Sequence, residues 1–224
     1  FITGLIFALI YLGEESSVRI LPPFESRSYV DLTISALKDF GADVQFTDVH
    51  TIRIRPAKLG AYSGRIEGDY SNAAFLDAFN QIGSDIHVYN LKADSLQGDK
   101  IYKTCFAKIS AGTPQVDISN CPDLGPILFA LAALKNGATF IGTDRLKAKE
   151  SDRGMAMHQE LEKLGGGLIF GENSITVPKQ SLQYKGAALY GHNDHRIVMA
   201  MSVILSKTGG TIEGVQAVGK SYPG

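Results

Sequence analysis

The chain has 224 residues, of which 44% are hydrophobic and 20% charged, a balance that belongs to globular proteins with a packed core and excludes disordered and fibrous classes. Its 22 Lys and Arg against 23 Asp and Glu give a net charge of −1. No global positive field therefore draws it to nucleic acid or to an anionic membrane, and any anion has to be held by a local cluster. Cys105 and Cys121 make neither a disulfide framework nor a zinc set, and are expected to be buried, reduced thiols, which fits the cytoplasm.

Residues 1–12 are apolar almost all round, too short to span a bilayer and without the basic leader of a secretory signal, so they predict a helix buried on every side. The run opens on Phe1 in mid-stretch, and the chain is read as a piece of a longer one. A strand over 17–21 follows, then a helix over 29–40 carrying Val30, Leu32, Ile34, Leu37 and Phe40 and ended by Gly41, then a hairpin with arms 43–47 and 50–55. Residues 56–64, with Gly, Ser and Pro and little apolar content, suit a crossing between domains.

The same order recurs later: an apolar helix over 123–134, a strand over 138–142, an amphipathic helix over 151–164 and a hairpin over 167–170 and 174–177. Leu37-Lys38-Asp39-Phe40-Gly41 lines up with Leu161-Glu162-Lys163-Leu164-Gly165. A weaker copy is read in a helix over 71–82, a strand over 85–89, a helix near 99–109 and an eroded hairpin around 113–118. A fourth starts with a helix over 195–205 and a strand over 210–213. Such units imply an α/β architecture with sheets outside a set of buried helices, whose first-turn amides would converge into an anion site.

Four motifs carry the chemistry. Lys147-Ala-Lys149-Glu150-Ser151-Asp152-Arg153 lies between a strand and a helix; Ser151 or Asp152 suffices as a cap, but the gathering of a proton donor, an acceptor and a forked clamp calls for more. Asn193-Asp194-His195-Arg196 opens a buried helix, where an arginine opposes the dipole and is costly to bury unless it faces an anion. Cys121-Pro122-Asp123-Leu124-Gly125-Pro126 reads as an Asp N-cap followed by a first-turn proline, a role compatible with accepting bonds from ligand hydroxyls. Lys220 in Gly219-Lys220-Ser221-Tyr222-Pro223 is a surface lysine or a late cation, and Glu25-Ser26-Arg27-Ser28-Tyr29 is a capping serine or a phosphate-binding hydroxyl pair. There is no glycine-rich phosphate loop of the usual nucleotide kind and no His pair with metal spacing.

Taken in order, these motifs resemble the 5-enolpyruvylshikimate-3-phosphate synthase family, the 3-phosphoshikimate 1-carboxyvinyltransferases, across essentially the whole chain. The resemblance implies the inverse α/β repeat fold of enolpyruvyl transferases, built from β-α-β-α-β-β units, with 1–64 ending a shikimate 3-phosphate-side domain and 65–224 forming most of the C-terminal one. It implies transfer of the enolpyruvyl group of phosphoenolpyruvate to the 5-hydroxyl of shikimate 3-phosphate, releasing phosphate, in aromatic amino-acid and chorismate biosynthesis. Catalytic roles are expected of Asp123, Lys149, Glu150 and His195. Ser26, Tyr29, Asp123, Arg145 and Lys149 would meet shikimate 3-phosphate; Arg153, Arg196 and Lys220 would hold phosphoenolpyruvate. Arg145 departs from the neutral residue that many members carry there. No metal or cofactor is implied, nor a nucleic-acid or membrane partner, and the intact protein is expected to be a monomer. Because the family's N-terminal Lys-Ser phosphate grip is missing, the isolated chain is expected to give little or no turnover. The rivals are the UDP-N-acetylglucosamine enolpyruvyl transferases and a non-catalytic anion-binding remnant.

Overall fold

The computed structural model describes residues 1–223, which form two compact units, 1–67 with 92–98, and 68–91 with 99 onward. In the first, helix α1 (Ile2–Ile10), strand β1 (Ser16–Arg19), helix α2 (Arg27–Asp39) and strands β2 (Val44–Phe46) and β3 (Thr51–Ile54) follow one another as the repeat predicts. The three strands form an antiparallel sheet in the order β1-β3-β2, with Ile54 opposite both Ser16 and Val44. Val44, Ile52 and Ile54 turn the inward side of the pleat into core, and α2 lays its Val30, Ile34 and Leu37 stripe in the same core. Gly41, at φ 91°, ends α2 in a left-handed conformation open to glycine.

One expectation fails in this unit. Helix α1 is not buried all round: Ile6 and Ile10 are in the core, but Leu5 and Phe7 are about half exposed and Tyr11 more so. One stripe packs on α2 and β3, and no other described element covers the opposite face.

The second unit begins with α3 (Tyr70–Asn80), capped by Asp69, whose carboxylate accepts from the Ser71 amide. The strand expected over 85–89 does not form. The Asn80 side chain takes both backbone groups of Ile86, accepting from its amide at 2.7 Å and donating to its carbonyl at 2.8 Å, so a ladder is not needed to satisfy them. A 3-10 turn (Gly98–Ile101) leads into α4 (Tyr102–Ala111), and in place of an eroded hairpin there is a single strand, β4 (Gln115–Asp117).

Then come a 3-10 turn (Pro122–Leu124), α5 (Gly125–Leu134), β5 (Ala138–Ile141), a 3-10 turn (Asp144–Ala148), α6 (Arg153–Lys163) and the hairpin β6 (Ile169–Phe170) with β7 (Ser174–Val177). The sheet runs β4-β5-β7-β6, so β5-β7-β6 reproduces β1-β3-β2, the leading strand again pairing antiparallel with the last hairpin arm. That shared strand order is a topological confirmation of the internal repeat, and β4 is added parallel to β5 at the edge. Unlike α1, α5 is buried along its length, from Gly125 to Ala133, between the sheet and α3, α4, α6 and α7.

The unit ends with β8 (Leu189–Tyr190), α7 (His195–Thr208), β9 (Ile212–Glu213) and a 3-10 turn (Val215–Lys220). Strand β8, which pairs in parallel with β9, is too short to leave a periodic signal. Both cysteines are buried and free, and burial pushes each thiol's pKa up. Among the described residues no helix is long and apolar enough to cross a membrane.

Candidate active site

Three helix starts of the second unit are tied together by charged side chains. Asp152 caps α6 by accepting from the Met155 amide, which sets Arg153 at the first helical position, and Asp194 caps α7 by accepting from the Arg196 amide. Gly142, at φ 74°, ends β5 where a Cβ would come within 2.7 Å of the Ser119 side chain, and the chain turns there toward Lys149 and Glu150.

Asp123 is the hub. Its Oδ1 lies 3.0 Å from Lys149 Nζ and 2.7 Å from Arg153 Nη1, and its Oδ2 lies 3.3 Å from Arg196 Nη2. Arg153 reaches further: Nη2 meets Glu150 at 2.6 Å and Nε meets Asp194 at 2.9 Å. Three cations thus face three carboxylates drawn from three stretches of chain. The expected N-cap role of Asp123 is not what forms. The residue lies in the 3-10 turn ahead of α5, whose own cap position falls on Leu124, a side chain with no acceptor to offer, and the Asp123 carboxylate faces the cations instead. Likewise Ser151 does not cap α6 but donates to Asp194 at 3.0 Å. The anion that makes Arg196 tolerable at a helix start is this internal carboxylate.

The cluster sets its own protonation. Burial works against an ionised Asp123, yet Arg196, Lys149 and Arg153 outweigh it and hold the carboxyl far below its ordinary range. Burial likewise opposes Asp194, but the bonds and charge of Arg153 bring it down. Burial, then the Arg196 charge, lower His195, so its imidazole is neutral at pH 7. Its Nδ1 sits 3.8 Å from Asp194 and makes no hydrogen bond, and Arg196 Nε is also buried without one. Buried polar nitrogens left over in a charged cluster suit a site that takes a polar ligand.

Of the other expected site residues, Lys220 donates to the Asn193 carbonyl at 2.7 Å, which places its cation on the turn before α7. Arg145 is partly buried in the 3-10 turn upstream of Lys149. Ser26 and Tyr29 stand at the start of α2 in the first unit; Ser26 is left-handed, at φ 55°, and makes no side-chain cap bond.

Sequence reasoning missed two members. Asp194 belongs to the Asn193-Asp194-His195-Arg196 motif, but nothing local marks it as the partner of Arg153, 41 positions earlier. Asp99, buried, is hydrogen-bonded by Ser71 Oγ, and burial and the Asp123 charge raise its pKa to about 6, against the Ser71 bond. Its partner is 28 residues away, which no local pattern announces. Among the described residues no group of three or more His, Cys, Asp or Glu could hold a metal ion.

The architecture is matched by solved enolpyruvyl transferases. An EPSP synthase from Acinetobacter baumannii superposes with a TM-score of 0.79 at 23% identity, covering 98% of this chain and 57% of that one. The enolpyruvyl transferase NikO from Streptomyces tendae gives 0.70 at 13% identity, covering 99% and 57%. These likenesses define the class: an enolpyruvyl transferase fold. The family model described as EPSP synthase (3-phosphoshikimate 1-carboxyvinyltransferase) matches residues 1–224, and the chain belongs to that family. A 3-phosphoshikimate 1-carboxyvinyltransferase of Clostridium novyi is 37% identical over all of this chain and 56% of its own length, and one of Clostridium kluyveri is 38% identical over all of this chain and 57% of its own. The chain spans just over half the length of these relatives.

Proposed function

We propose that these residues supply the phosphoenolpyruvate-binding and proton-transfer groups for enolpyruvyl transfer to the 5-hydroxyl of shikimate 3-phosphate, with release of phosphate through a tetrahedral adduct. The reading is carried by the single observation that Lys149 and Arg153 from one segment and Arg196 from another converge on Asp123. Arg153, Arg196 and Lys220 would take the carboxylate and phosphate of phosphoenolpyruvate, with His195 beside them as a neutral imidazole. Asp123, held ionised by cations, is a weak base as it stands. When those cations turn toward the substrate's negative groups its proton affinity rises, and it can accept the proton of the attacking hydroxyl. Lys149 would pass a proton between the substrates, and Glu150, the most exposed carboxylate of the cluster, would protonate the methylene carbon and later remove a proton from the methyl so formed. Ser26, Tyr29 and Arg145 would meet shikimate 3-phosphate. In this reading residues 1–64 close the domain that carries that substrate, 65–224 form most of the other, and the intact enzyme works as a cytoplasmic monomer.

Calorimetric titration with phosphoenolpyruvate, alone and after shikimate 3-phosphate, tests the assignment. Binding that Lys149→Met weakens and shikimate 3-phosphate strengthens is the expected result. Strengthening by UDP-N-acetylglucosamine instead would move the acceptor to the sister activity, and no binding of phosphoenolpyruvate under any condition would leave only an inert remnant.

A further inference from the structure

The cation cluster is served by a second buried carboxylate that the proposed chemistry does not use. Glu160 lies seven residues beyond Arg153 on α6, two turns along the same face, and its side chain is 1% exposed. Its Oε2 accepts from the Tyr190 amide at 2.8 Å and from Lys163 Nζ at 2.8 Å, and its Oε1 bonds His192 Nε2 at 2.7 Å. Lys163 also donates to the Ala188 carbonyl. One helix therefore grips the stretch leading into α7 at two places, through Glu160 at residues 190 and 192 and through Arg153 at Asp194.

What is gripped is a strained turn. The Asp194 amide donates to the Gly191 carbonyl, and the two residues between, His192 and Asn193, have φ of 49° and 52°. Two successive positive φ values define a mirror-image turn that glycine and asparagine accept with least cost and histidine less readily. A non-glycine residue held there meets steric crowding at its Cβ, so the conformation persists only if its surroundings fix it. Glycine is required at the turn's first position, since a Cβ on Gly191 would meet the Val198 side chain at 2.5 Å. His192 is held by Glu160 and stacks edge-on against Tyr190 at 5.3 Å. The next carbonyl, that of Asn193, is the one that receives Lys220. A relaxed turn would rotate the Asn193 peptide, and Lys220 would lose its anchor.

We propose that Glu160 is a positioning residue for the phosphoenolpyruvate-side cations: by holding His192 it keeps the 191–194 turn left-handed and so fixes Lys220 through the Asn193 carbonyl. The inference rests on the reading of Lys220 as a phosphoenolpyruvate ligand, and it adds a residue outside the motifs to that site.

A double-mutant cycle between Glu160 and Lys220, read as the calorimetric Kd of phosphoenolpyruvate, tests it. Glu160→Leu is expected to weaken binding about tenfold, and Glu160→Gln, which still offers an oxygen to the Tyr190 amide, to recover part of that. In a Lys220→Met background the effect of Glu160→Leu should shrink below about threefold, since the group being positioned is gone. An undiminished tenfold loss in both backgrounds would make Glu160 a purely structural residue and overturn the proposal. If Glu160→Leu does not fold, the Gln variant carries the cycle. Amide spectra of Glu160→Gln decide the point separately from any ligand: shifts at Asn193, Asp194 and Lys220 are expected, and shifts confined to α6 and residues 188–190 would overturn the proposal. Failure of the unmutated protein to bind phosphoenolpyruvate would count against the functional reading, leaving the spectra to judge the positioning.

Discussion

Arg153 Nε lies 2.9 Å from Asp194 Oδ2, and the two side chains are 1% and 0% exposed, so the ion pair that joins α6 to α7 is out of water at both ends. Such a pair adds little net stability over an apolar replacement of both partners, but removing one leaves the other charged and stranded. Arg153→Met strands Asp194 and loosens Asp123 and Glu150 as well, and is expected to lower unfolding stability by about 3–5 kcal/mol. Arg153→Lys keeps the charge but cannot span three carboxylates with one planar fork, and should lose about 1–3 kcal/mol. Urea unfolding measures both; a loss under 1 kcal/mol for the Met variant would mean that the pair is not buried in solution.

Asp123 neutralises the cations around it, so its removal should separate affinity from turnover. Asp123→Asn keeps the shape and deletes the charge, and at effective interior screening the freed cations gain about 1 kcal/mol toward an added anion, about a fivefold tighter Kd for phosphoenolpyruvate. The intact enzyme carrying the same change should lose turnover by about a hundredfold or more, because the hydroxyl proton has no acceptor. The gain in affinity should fade in high salt. Weaker phosphoenolpyruvate binding in the variant would show instead that Asp123 organises the arginines more than it competes for them.

Much of the fold was legible because the sequence writes it twice. Apolar helix, strand, amphipathic helix and hairpin can each be read from local periodicity, and their recurrence gives the order of elements along the chain, whereas the sheet orders β1-β3-β2 and β5-β7-β6 are set by pairings that only the fold reveals. What was not legible depends on partners far along the chain. The 85–89 stretch looks like a strand, and in the fold the backbone groups of Ile86 pair with the Asn80 side chain rather than with a neighbouring strand. Asp123 sits in the right place for a cap, and Lys149, Arg153 and Arg196 outcompete the helix for it. Glu160 and Asp99 belong to no motif at all, and only the fold brings them to His192 and Ser71.

Periodicity also misjudged α1, whose composition is apolar all round while only one stripe is buried. Ile6, fully buried, should cost about 2–5 kcal/mol on replacement by Ala, whereas Phe7, 48% exposed, should cost less than 1 kcal/mol despite its larger ring. Denaturant midpoints of the two variants compare them directly. Equal losses would show that the exposed face of α1 is covered in solution.

Asp99 predicts an unusual pH profile. Burial raises its pKa from 3.8 to about 6 in the folded chain, with Asp123 and Asp69 adding to the rise and Ser71 and Arg196 opposing it. The folded state therefore binds its proton more tightly than the unfolded state does. Its contribution is fully present below about pH 4 and is lost as pH rises through 6, an effect of about 3 kcal/mol. Asp123 and Asp194, both lowered, act the other way: their contribution is present above about pH 4 and is lost as pH falls below it. His195, also lowered, contributes stability that is lost as pH falls from about 6.5. Asp99→Asn removes one slope and leaves the others. Relative to the unmutated protein, the variant should gain about 2 kcal/mol in unfolding free energy between pH 4.5 and pH 7. A mutational difference that stays constant across that range would show that Asp99 titrates alike in the folded and unfolded chains, and that its carboxyl is not shut away from water beside Ser71.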